Sequence, residues 1–173
     1  MFERTLVIVK PGGVARDLVN EIRRHETARL SIVTIKKLTA TQELIPRHYP
    51  AEGMYLLSLA EKAKTAGVDL DARGKQLAFG MAIVNGHRNF MTSGPVLAFV
   101  VGGENAVKRV RAITGYTDLA RAEKGTIRGD FAEDPIEIAN RDGRPVQNLV
   151  HASGTIGEAE AEIKFWFGEL SGG

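Results

Sequence analysis

The chain has 173 residues, of which 43% are hydrophobic and 25% are charged, and its formal net charge is +2. This length and balance are typical of one globular domain with a full core. The small net charge gives no reason to expect a nucleic-acid-binding protein, and the absence of cysteine excludes disulfides, thiolate metal sites and a cysteine nucleophile. With neither a bilayer-spanning apolar run nor a signal-peptide pattern, we expect a cytoplasmic protein without membrane contacts.

The first elements place a lysine at the end of a buried strand. Thr5–Val9 is a β-branched apolar run that predicts a strand, and a Pro-Gly-Gly turn follows Lys10. Lys10 fits a ligand contact at a strand end, although a solvated loop lysine has the same local pattern. Leu18–Leu30 predicts an amphipathic helix with Asp17 as its N-cap, and Ser31–Leu38 predicts a strand with one solvated face.

The next segment predicts short helices and an insertion. Thr39-x-x-Gln42 resembles a capping box that opens a short helix ending near Pro50. Tyr49 lies in this helix, where half-buried packing is the default role and a ligand contact is the alternative. Gly53–Phe90 has the pattern of two helices interrupted by glycines, and it is too short to hold an independent core. We therefore expect a helical insertion within a single domain of residues 1–173.

The second half of the chain predicts a strand, a helix and a loop that presents an arginine. Pro95–Val101 is an apolar run typical of a buried strand, and Glu104–Thr114 has the pattern of a helix closed by a glycine. Gly125–Phe131 is a glycine-bracketed segment that carries Arg128, and such a loop can turn backbone N–H groups toward an anion. Asp134–Arg144 is polar and is typical of turns.

One histidine stands out by its surroundings. A short apolar run after Asn148 leads to His151, a small-residue turn follows, and a helix is predicted over Ile156–Phe167. The acidic stretch Glu158–Glu162 of that helix is available to orient the ring. Imidazole acts as a nucleophile or an acid–base group near neutral pH, but most histidines are surface or core residues, so the local pattern leaves both roles open.

The order of elements predicts an α+β fold. Strands alternate with helices in a way that favours a ferredoxin-like antiparallel sheet covered by helices on one face, with the helical insertion added. The sequence contains no Gly-x4-Gly-Lys-Ser/Thr loop and no Gly-x-Gly-x-x-Gly motif opening a helix. If the protein binds phosphates, it therefore binds them with side chains.

Several separate residues have the chemistry of a phosphate or ribose site. Each residue alone is a weak indication of such a site. A histidine nucleophile together with several fixed donors is typical of phosphoryl transfer, because charge spreads over the phosphate oxygens in that reaction. These candidates are Lys10, Arg111, Thr117, Arg128 and Asn148.

The same motifs resemble those of the nucleoside diphosphate kinase family. The matching segments are Glu3–Val14, Thr92–Val96, Gly125–Phe131 and Asn148–Ser153. The resemblance implies a ping-pong reaction in which His151 takes the γ-phosphoryl group of a nucleoside triphosphate and passes it to a diphosphate. It assigns catalytic roles to His151, Glu162 and Lys10. It also implies Mg²⁺ bound to the nucleotide, no metal site in the protein, broad base tolerance, and a homo-oligomer that is a hexamer or a tetramer.

The resemblance also implies roles for the remaining candidates. Lys10, Tyr49, Arg111, Thr117 and Arg128 would hold the phosphates, and Asn148 with Lys10 would reach the sugar hydroxyls.

Some positions depart from the family pattern. Gly12 and Gly154 stand where aspartates are usual, Ala152 replaces a glycine, and Leu119 replaces a proline of a subunit-contact loop. The insertion replaces a segment whose phenylalanine stacks on the base. Either Tyr55 or Phe90 could substitute, although core packing is the default role of both. The alternative is a catalytically weak nucleotide-binding protein with a regulatory or assembly role, and a nucleic-acid module has less support because basic and aromatic residues are not interleaved.

Overall fold

The computed structural model describes residues 2–26, 30–65, 67–118 and 121–168. The elements in chain order are β1 (Phe2–Val9), α1 (Pro11–Ala15), α2 (Val19–Glu26), β2 (Ser31–Thr39), α3 (Ile45–His48), α4 (Gly53–Thr65), α5 (Arg73–Thr92), β3 (Pro95–Glu104), α6 (Ala106–Thr114), α7 (Ile127–Phe131), α8 (Ile136–Arg141), β4 (Val150–Ala152) and α9 (Ile156–Phe167). Side chains are described only to residue 23 within α2.

The described strands form one antiparallel sheet in the order β2-β3-β1-β4. β1 lies between β3 and β4, and β2 is at one edge. The apolar run that predicts a buried strand forms the centre of β1, where Leu6 to Val9 are fully buried. This confirms the predicted ferredoxin-like α+β class.

Helices cover both faces of the sheet, so the expectation of helices on one face is wrong. Leu6 and Ile8 pack with Trp166 of α9 in one core cluster, which we call the α9-side core. Val7 and Val9 point the other way and pack in a second cluster with residues of α2, α6 and α7. β1 is apolar at successive positions, without the alternation of a half-exposed strand, because both of its faces are buried.

The predicted insertion is built from α4 and α5, which pack closely against each other. A Cβ at Gly80 would overlap the backbone of Leu56, so glycine permits the close contact between the two helices. Gly80 and Gly86, which weaken the sequence pattern, both lie inside the 20-residue α5. Val84 and Met91 of α5 reach the α9-side core, which joins the insertion to the sheet.

Two predicted caps are wrong. Asp17 lies in a left-handed turn with φ of 56°, and α2 begins only at Val19, so Asp17 is not the N-cap residue. Thr39 still belongs to β2, where it pairs with Pro95. The hydroxyl of Thr41 instead accepts the N–H of Leu44, one residue before α3 begins.

Two segments predicted as loops contain short helices. The Arg128 segment forms α7, and the Thr126 hydroxyl caps it by accepting the N–H of Gly129 at 3.1 Å. α8 lies in the stretch predicted as polar turns. The end of the predicted helix at 27–29 and the position of Leu119 lie outside the described residues.

Candidate active site

The sheet turns His151 toward α9. His151 pairs with Ile8 across β1 and β4, and its neighbour Val150 packs in the opposite core cluster. Successive strand residues point to opposite faces, so His151 shares the face of Ile8. Lys10 follows β1 with the same alternation and lies on this face as well.

The Glu162 carboxylate orients His151, and Ser153 in turn fixes that carboxylate. The Nε2 atom of His151 lies 3.0 Å from Oε2 of Glu162, and the Ser153 hydroxyl donates to the same oxygen at 2.6 Å. Ser153 is fully buried and is fixed to β1 by the Leu6 backbone. α9 begins directly after this turn, where the Thr155 hydroxyl accepts the N–H of Glu158 and caps the helix. The cap fixes the helix that carries Glu162.

His48 completes the surroundings of Glu162. Its ring centroid lies 4.4 Å from that of His151, and its Nδ1 lies 3.5 Å from Oε1 of Glu162. Trp166 of α9 donates its indole N–H to the same Nδ1 at 3.3 Å. Burial, with the charges of His151, Lys10 and His87, holds the pKa of His48 well below its usual value. We call His48, His151, Ser153 and Glu162 the histidine centre.

Lys10 is a buried cation without a carboxylate partner. Its side chain belongs to a residue only 3% exposed, and among the described residues no carboxylate oxygen lies within 4.0 Å of its ammonium group. Burial, together with the charge of Arg128, lowers the pKa of Lys10 to about 7. An anionic ligand beside Lys10 would supply the missing countercharge.

Arg128 links the histidine strand to the end of α6. Its Nη1 donates to the Gly115 carbonyl at 2.7 Å, and its Nη2 donates to the Val150 carbonyl at 3.1 Å. Carbonyl oxygens orient the guanidinium without neutralising its charge. Lys10, Arg111 and Arg128 are called the cationic group below.

Tyr49 and Asn148 are both buried, as expected for residues with a defined role rather than a solvated one. Burial and the charges of Tyr55 and Glu162 raise the pKa of the Tyr49 phenol, so it remains a neutral hydrogen-bonding group. The Oδ1 atom of Asn148 is buried and has no hydrogen-bond partner in the described part of the chain. Buried polar atoms are normally paired, so an unpaired one beside a cavity or cleft is suited to a ligand contact.

Arg111 and Thr117 lie toward the surface. Both residues are exposed, and the described contacts do not bring Thr117 to the histidine centre. Arg111 reaches the turn after His151, since a Cβ at Gly154 would lie 3.6 Å from its Nη1. That Cβ would also lie 2.5 Å from Oε2 of Glu158, which accepts the Gly154 N–H at 2.8 Å. Glu158 therefore occupies the space that a side chain at position 154 would need.

The two aromatic candidates for base stacking lie in different surroundings. Phe90 lies against Gly12, since a Cβ at Gly12 would be 3.5 Å from its ring. A cavity of about 460 Å³ adjoins this pair and is lined partly by Arg16 and Arg144. Tyr55 instead packs against the α9-side core.

Three side chains have the atom types and spacing of a metal site. His48, His151 and Glu162 offer ligand atoms that all lie within 4.8 Å of one another. Two observations oppose a bound dication there. Lys10 lies close enough to act electrostatically on His48, and the Nδ1 atom of His48 already accepts the indole N–H of Trp166.

Sequence reasoning singled out His151, Glu162 and Lys10, whose roles stay predictions, but it did not single out several of the residues that surround them. His48 and His87 come from separate helices, and only the fold brings them to the site. Ser153 appears in the sequence as part of a motif, without a sign that its hydroxyl binds Glu162. His48 directly precedes Tyr49, and that adjacency is the one signal that points to it.

Comparisons with known proteins show the class of protein to which the chain belongs, the phosphotransferases. A family model described as nucleoside diphosphate kinase matches residues 3–55 and 80–171. A nucleoside diphosphate kinase from Pyrobaculum aerophilum is 43% identical over 175 residues, and the match covers 96% of each chain. One from Thermoanaerobacter sp. is 36% identical, and that match covers 98% of this chain and 99% of the relative.

Solved structures agree with these sequence matches. An NDP kinase structure from Pyrobaculum aerophilum has a TM-score of 0.87 and 41% identity, with 96% of each chain covered. A Borrelia burgdorferi nucleoside-diphosphate kinase, solved as a transition-state mimic with vanadate and ADP, has a TM-score of 0.74 and 31% identity over 96% of this chain and 87% of its own. The chain belongs to the nucleoside diphosphate kinase family. The segment that the family model leaves unmatched, 56–79, is shorter than the predicted insertion at 53–90.

None of the helices in the described ranges combines the length and apolar character needed to cross a lipid bilayer.

Proposed function

We propose that the chain transfers the γ-phosphoryl group of a nucleoside triphosphate to a nucleoside diphosphate through a phosphohistidine at His151. The observation that carries this assignment is the 3.0 Å contact between His151 Nε2 and Glu162. A carboxylate accepts a hydrogen bond from the Nε2–H tautomer, which leaves the lone pair on Nδ1. A neutral imidazole nitrogen with a free lone pair attacks phosphorus without first losing a proton.

The proposed reaction consists of two half-reactions. In the first, Nδ1 of His151 forms a bond to the γ-phosphorus while the bond to the β,γ-bridging oxygen breaks, and the diphosphate leaves with that electron pair. In the second, a terminal oxygen of another nucleoside diphosphate attacks the phosphohistidine and the nitrogen–phosphorus bond breaks. Glu162 stabilises the positive charge that the ring carries when Nδ1 is phosphorylated, and Ser153 keeps Glu162 in place.

The cationic group is proposed to hold the phosphates. Arg128 lies close enough to Lys10 to lower its pKa, and no carboxylate in the described residues neutralises Lys10. Phosphoryl transfer depends on positioning and on stabilising charge over the phosphate oxygens, which suits two fixed cations at this place. Arg111, Thr117 and the Tyr49 hydroxyl are proposed as further phosphate contacts, and Asn148 with Lys10 as contacts to the sugar hydroxyls.

Mg²⁺ is proposed to arrive bound to the nucleotide. Glu162, the carboxylate of the histidine centre, already binds His151 and Ser153, so the site offers no set of oxygen ligands for this ion. The nucleotide phosphates provide such oxygens. Because the proposed contacts bind phosphate and ribose, we expect low selectivity among bases. The alternative of a catalytically weak binder is not favoured, because the histidine–carboxylate pair is formed and the relatives are named as kinases.

We further propose a single domain, a homo-oligomer and a cytoplasmic location. α5 runs from the insertion into the α9-side core, which supports one domain. Support for self-association comes from β2, an edge strand on which Ile32, Val33 and Ile35 are 38%, 47% and 45% exposed. An edge strand with exposed apolar side chains is a template for pairing with another chain. The proposed nucleotide substrates support the cytoplasmic location. Sedimentation velocity tests the assembly, and a monomer at micromolar concentration would contradict it.

The direct test of the proposed reaction is phosphoenzyme formation. The protein is incubated with Mg²⁺ and γ-labelled ATP, beside a His151→Ala control. We expect an acid-labile, alkali-stable adduct that the control lacks and that GDP discharges with formation of GTP. An adduct on another residue, or nucleotide binding without any adduct, would contradict the assignment. Discharge by one diphosphate alone, among several with different bases, would contradict broad base tolerance.

A further inference from the structure

Helix α5 contacts Tyr49 through two neighbouring residues. The His87 ring stacks on the Tyr49 ring with centroids 4.8 Å apart and planes 5° from parallel. Arg88 donates to the Tyr49 carbonyl oxygen from both Nε, at 3.0 Å, and Nη2, at 2.8 Å. One helix therefore fixes the side chain of Tyr49 with His87 and its backbone with Arg88.

The Arg88 contact satisfies a backbone group that α3 cannot satisfy by itself. Tyr49 is the C-cap residue of α3, and Pro50 follows it directly. Carbonyl groups at the end of a helix have no intrahelical partner, and proline cannot continue the helix. The guanidinium supplies two charge-assisted donors to this carbonyl, which fixes the direction in which Tyr49 leaves α3.

His87 provides the flat face of its ring and not a charge. Burial, with the nearby charges of Lys10 and His151, lowers its pKa to about 3, so the ring is neutral at physiological pH. Its Nδ1 is buried without a partner in the described part of the chain. The stack with Tyr49 is thus the contact through which His87 acts on the site.

α5 itself is held on two sides. Gly80 allows it to pack against the backbone of Leu56 in α4, and Gly86 allows it to pack against the ring of Pro145. Pro145 lies three residues before Asn148. The helix that emerges from the insertion is therefore anchored beside the site, and His87 and Arg88 follow directly after the Gly86 contact.

We propose that His87 and Arg88 are positioning residues through which helix α5 fixes Tyr49 for nucleotide binding. This inference rests on the proposed role of Tyr49 at the phosphates. Neither residue needs to touch the nucleotide. Their effect is on affinity for nucleotide and on KM, because Tyr49 is placed in advance and less ordering accompanies binding.

The test compares variants of His87 that distinguish the effect of an aromatic ring from the effect of apolar volume. His87→Leu keeps apolar volume and loses the ring, whereas His87→Phe keeps a ring that stacks. Arg88→Lys keeps the charge but leaves one donor for the Tyr49 carbonyl. Asn85→Ala changes an exposed residue of the same helix and serves as the control. For each variant, the Kd for ADP, the KM for ATP, kcat and the melting temperature are measured.

We expect His87→Leu to raise the Kd and KM roughly 2- to 12-fold, the equivalent of one aromatic pair, with kcat within a factor of about two of the parent. His87→Phe and Asn85→Ala should leave Kd and KM unchanged, and Arg88→Lys should raise both. In a Tyr49→Ala background, His87→Leu should have no further effect on Kd, because the residue through which it acts is absent.

Two results would overturn the inference. One is an unchanged Kd in His87→Leu, which together with a lower melting temperature would show a purely structural role. The other is an equal rise in Kd in the Tyr49→Ala background. The proposed reaction is tested separately, because the Kd for ADP is measured without turnover. A parent protein that binds ADP but forms no phosphoenzyme would refute the reaction and leave the positioning inference to be decided by Kd.

Discussion

The histidine centre and the cationic group differ in how far their polar groups are satisfied without a nucleotide. In the histidine centre, Glu162 accepts from Ser153, contacts His151 and lies near His48. In the cationic group, Lys10 is buried without a countercharge among the described residues, and Arg111 is exposed at the end of α6. The proposed nucleophile is therefore oriented by side chains of the fold, whereas Lys10, a proposed phosphate contact, gains a countercharge from a bound anion.

The largest expected effect tests the cationic group. Arg128→Met removes a fixed guanidinium while keeping similar volume, and it should lower kcat/KM by about 2–4 kcal/mol, the scale of one preorganised donor. Steady-state kinetics with ATP and GDP measure this loss. Arg141→Met removes an exposed arginine that pairs with Asp142, away from the histidine centre, and should leave kcat/KM unchanged. Equal losses in both variants would show that Arg128 acts through general stability.

The second prediction tests the histidine centre. Glu162→Gln removes the charge that orients His151 and should lower kcat by about 1.5–3 kcal/mol, the range for a hydrogen bond to a charged group. The Kd for ADP should change little, since the phosphate contacts remain. Glu160→Gln is the matched control, because Glu160 lies on the same helix and pairs with Arg4 at the surface. If Glu162→Gln weakened ADP binding as much as it slowed turnover, the two regions would not be separable.

The third prediction uses the ionisation of Lys10. Its pKa is lowered to about 7 by burial and by Arg128, and phosphate bound beside it should raise that value again. At pH 8 the free lysine is mostly neutral and the bound one is charged, so ADP binding should take up most of one proton. At pH 5.5 the lysine is charged in both states and uptake through this group should vanish. Between these limits affinity falls as pH rises, by at most about 1.4 kcal/mol per pH unit.

Calorimetry in buffers with different ionisation enthalpies measures this uptake, and Lys10→Met serves as the control that lacks it. The contribution of Lys10 to folding stability changes with pH in the opposite direction to its contribution to ADP affinity. Because the folded pKa lies below the unfolded one, the unfolded chain binds more protons between pH 7 and 10.5. The contribution of Lys10 to folding stability therefore rises through that window. Proton release on ADP binding, or uptake that persists in Lys10→Met, would show that Lys10 is not the group concerned.

The residues around the site differ in how well the sequence predicts their place. Lys10, His151 and Glu162 lie in segments whose local pattern predicts a strand end, a strand and a helix, and their roles stay predictions. His48 and His87 could not be placed near the site from the sequence, because their importance depends on α3 and α5 packing around Tyr49 and Glu162. Periodicity describes one element at a time and carries no information about such contacts between elements.

Local capping explains the errors in the fold. The segment around Arg128 reads as a glycine-bracketed loop, but the Thr126 hydroxyl caps a short helix there. Asp17 is a favourable N-cap type, yet the preceding short helix α1 leads it into a left-handed turn. In both places a side-chain or backbone contact of the neighbouring turn decides the outcome, and propensity alone does not predict it.

The smallest expected effect concerns the support behind Glu162. Trp166→Phe removes the indole N–H that binds His48 Nδ1 at 3.3 Å and should lower the free energy of unfolding by about 1–2 kcal/mol. Glu162 keeps its contact with Ser153, so kcat should fall by less than about threefold. Because Trp166 is the only tryptophan of the chain, unfolding must be followed by circular dichroism. In a His48→Phe background the same substitution should cost less, since the acceptor is absent. A loss in kcat above tenfold would mean that the orientation of His48 is transmitted through Glu162 to His151, and the histidine centre would then extend to the indole.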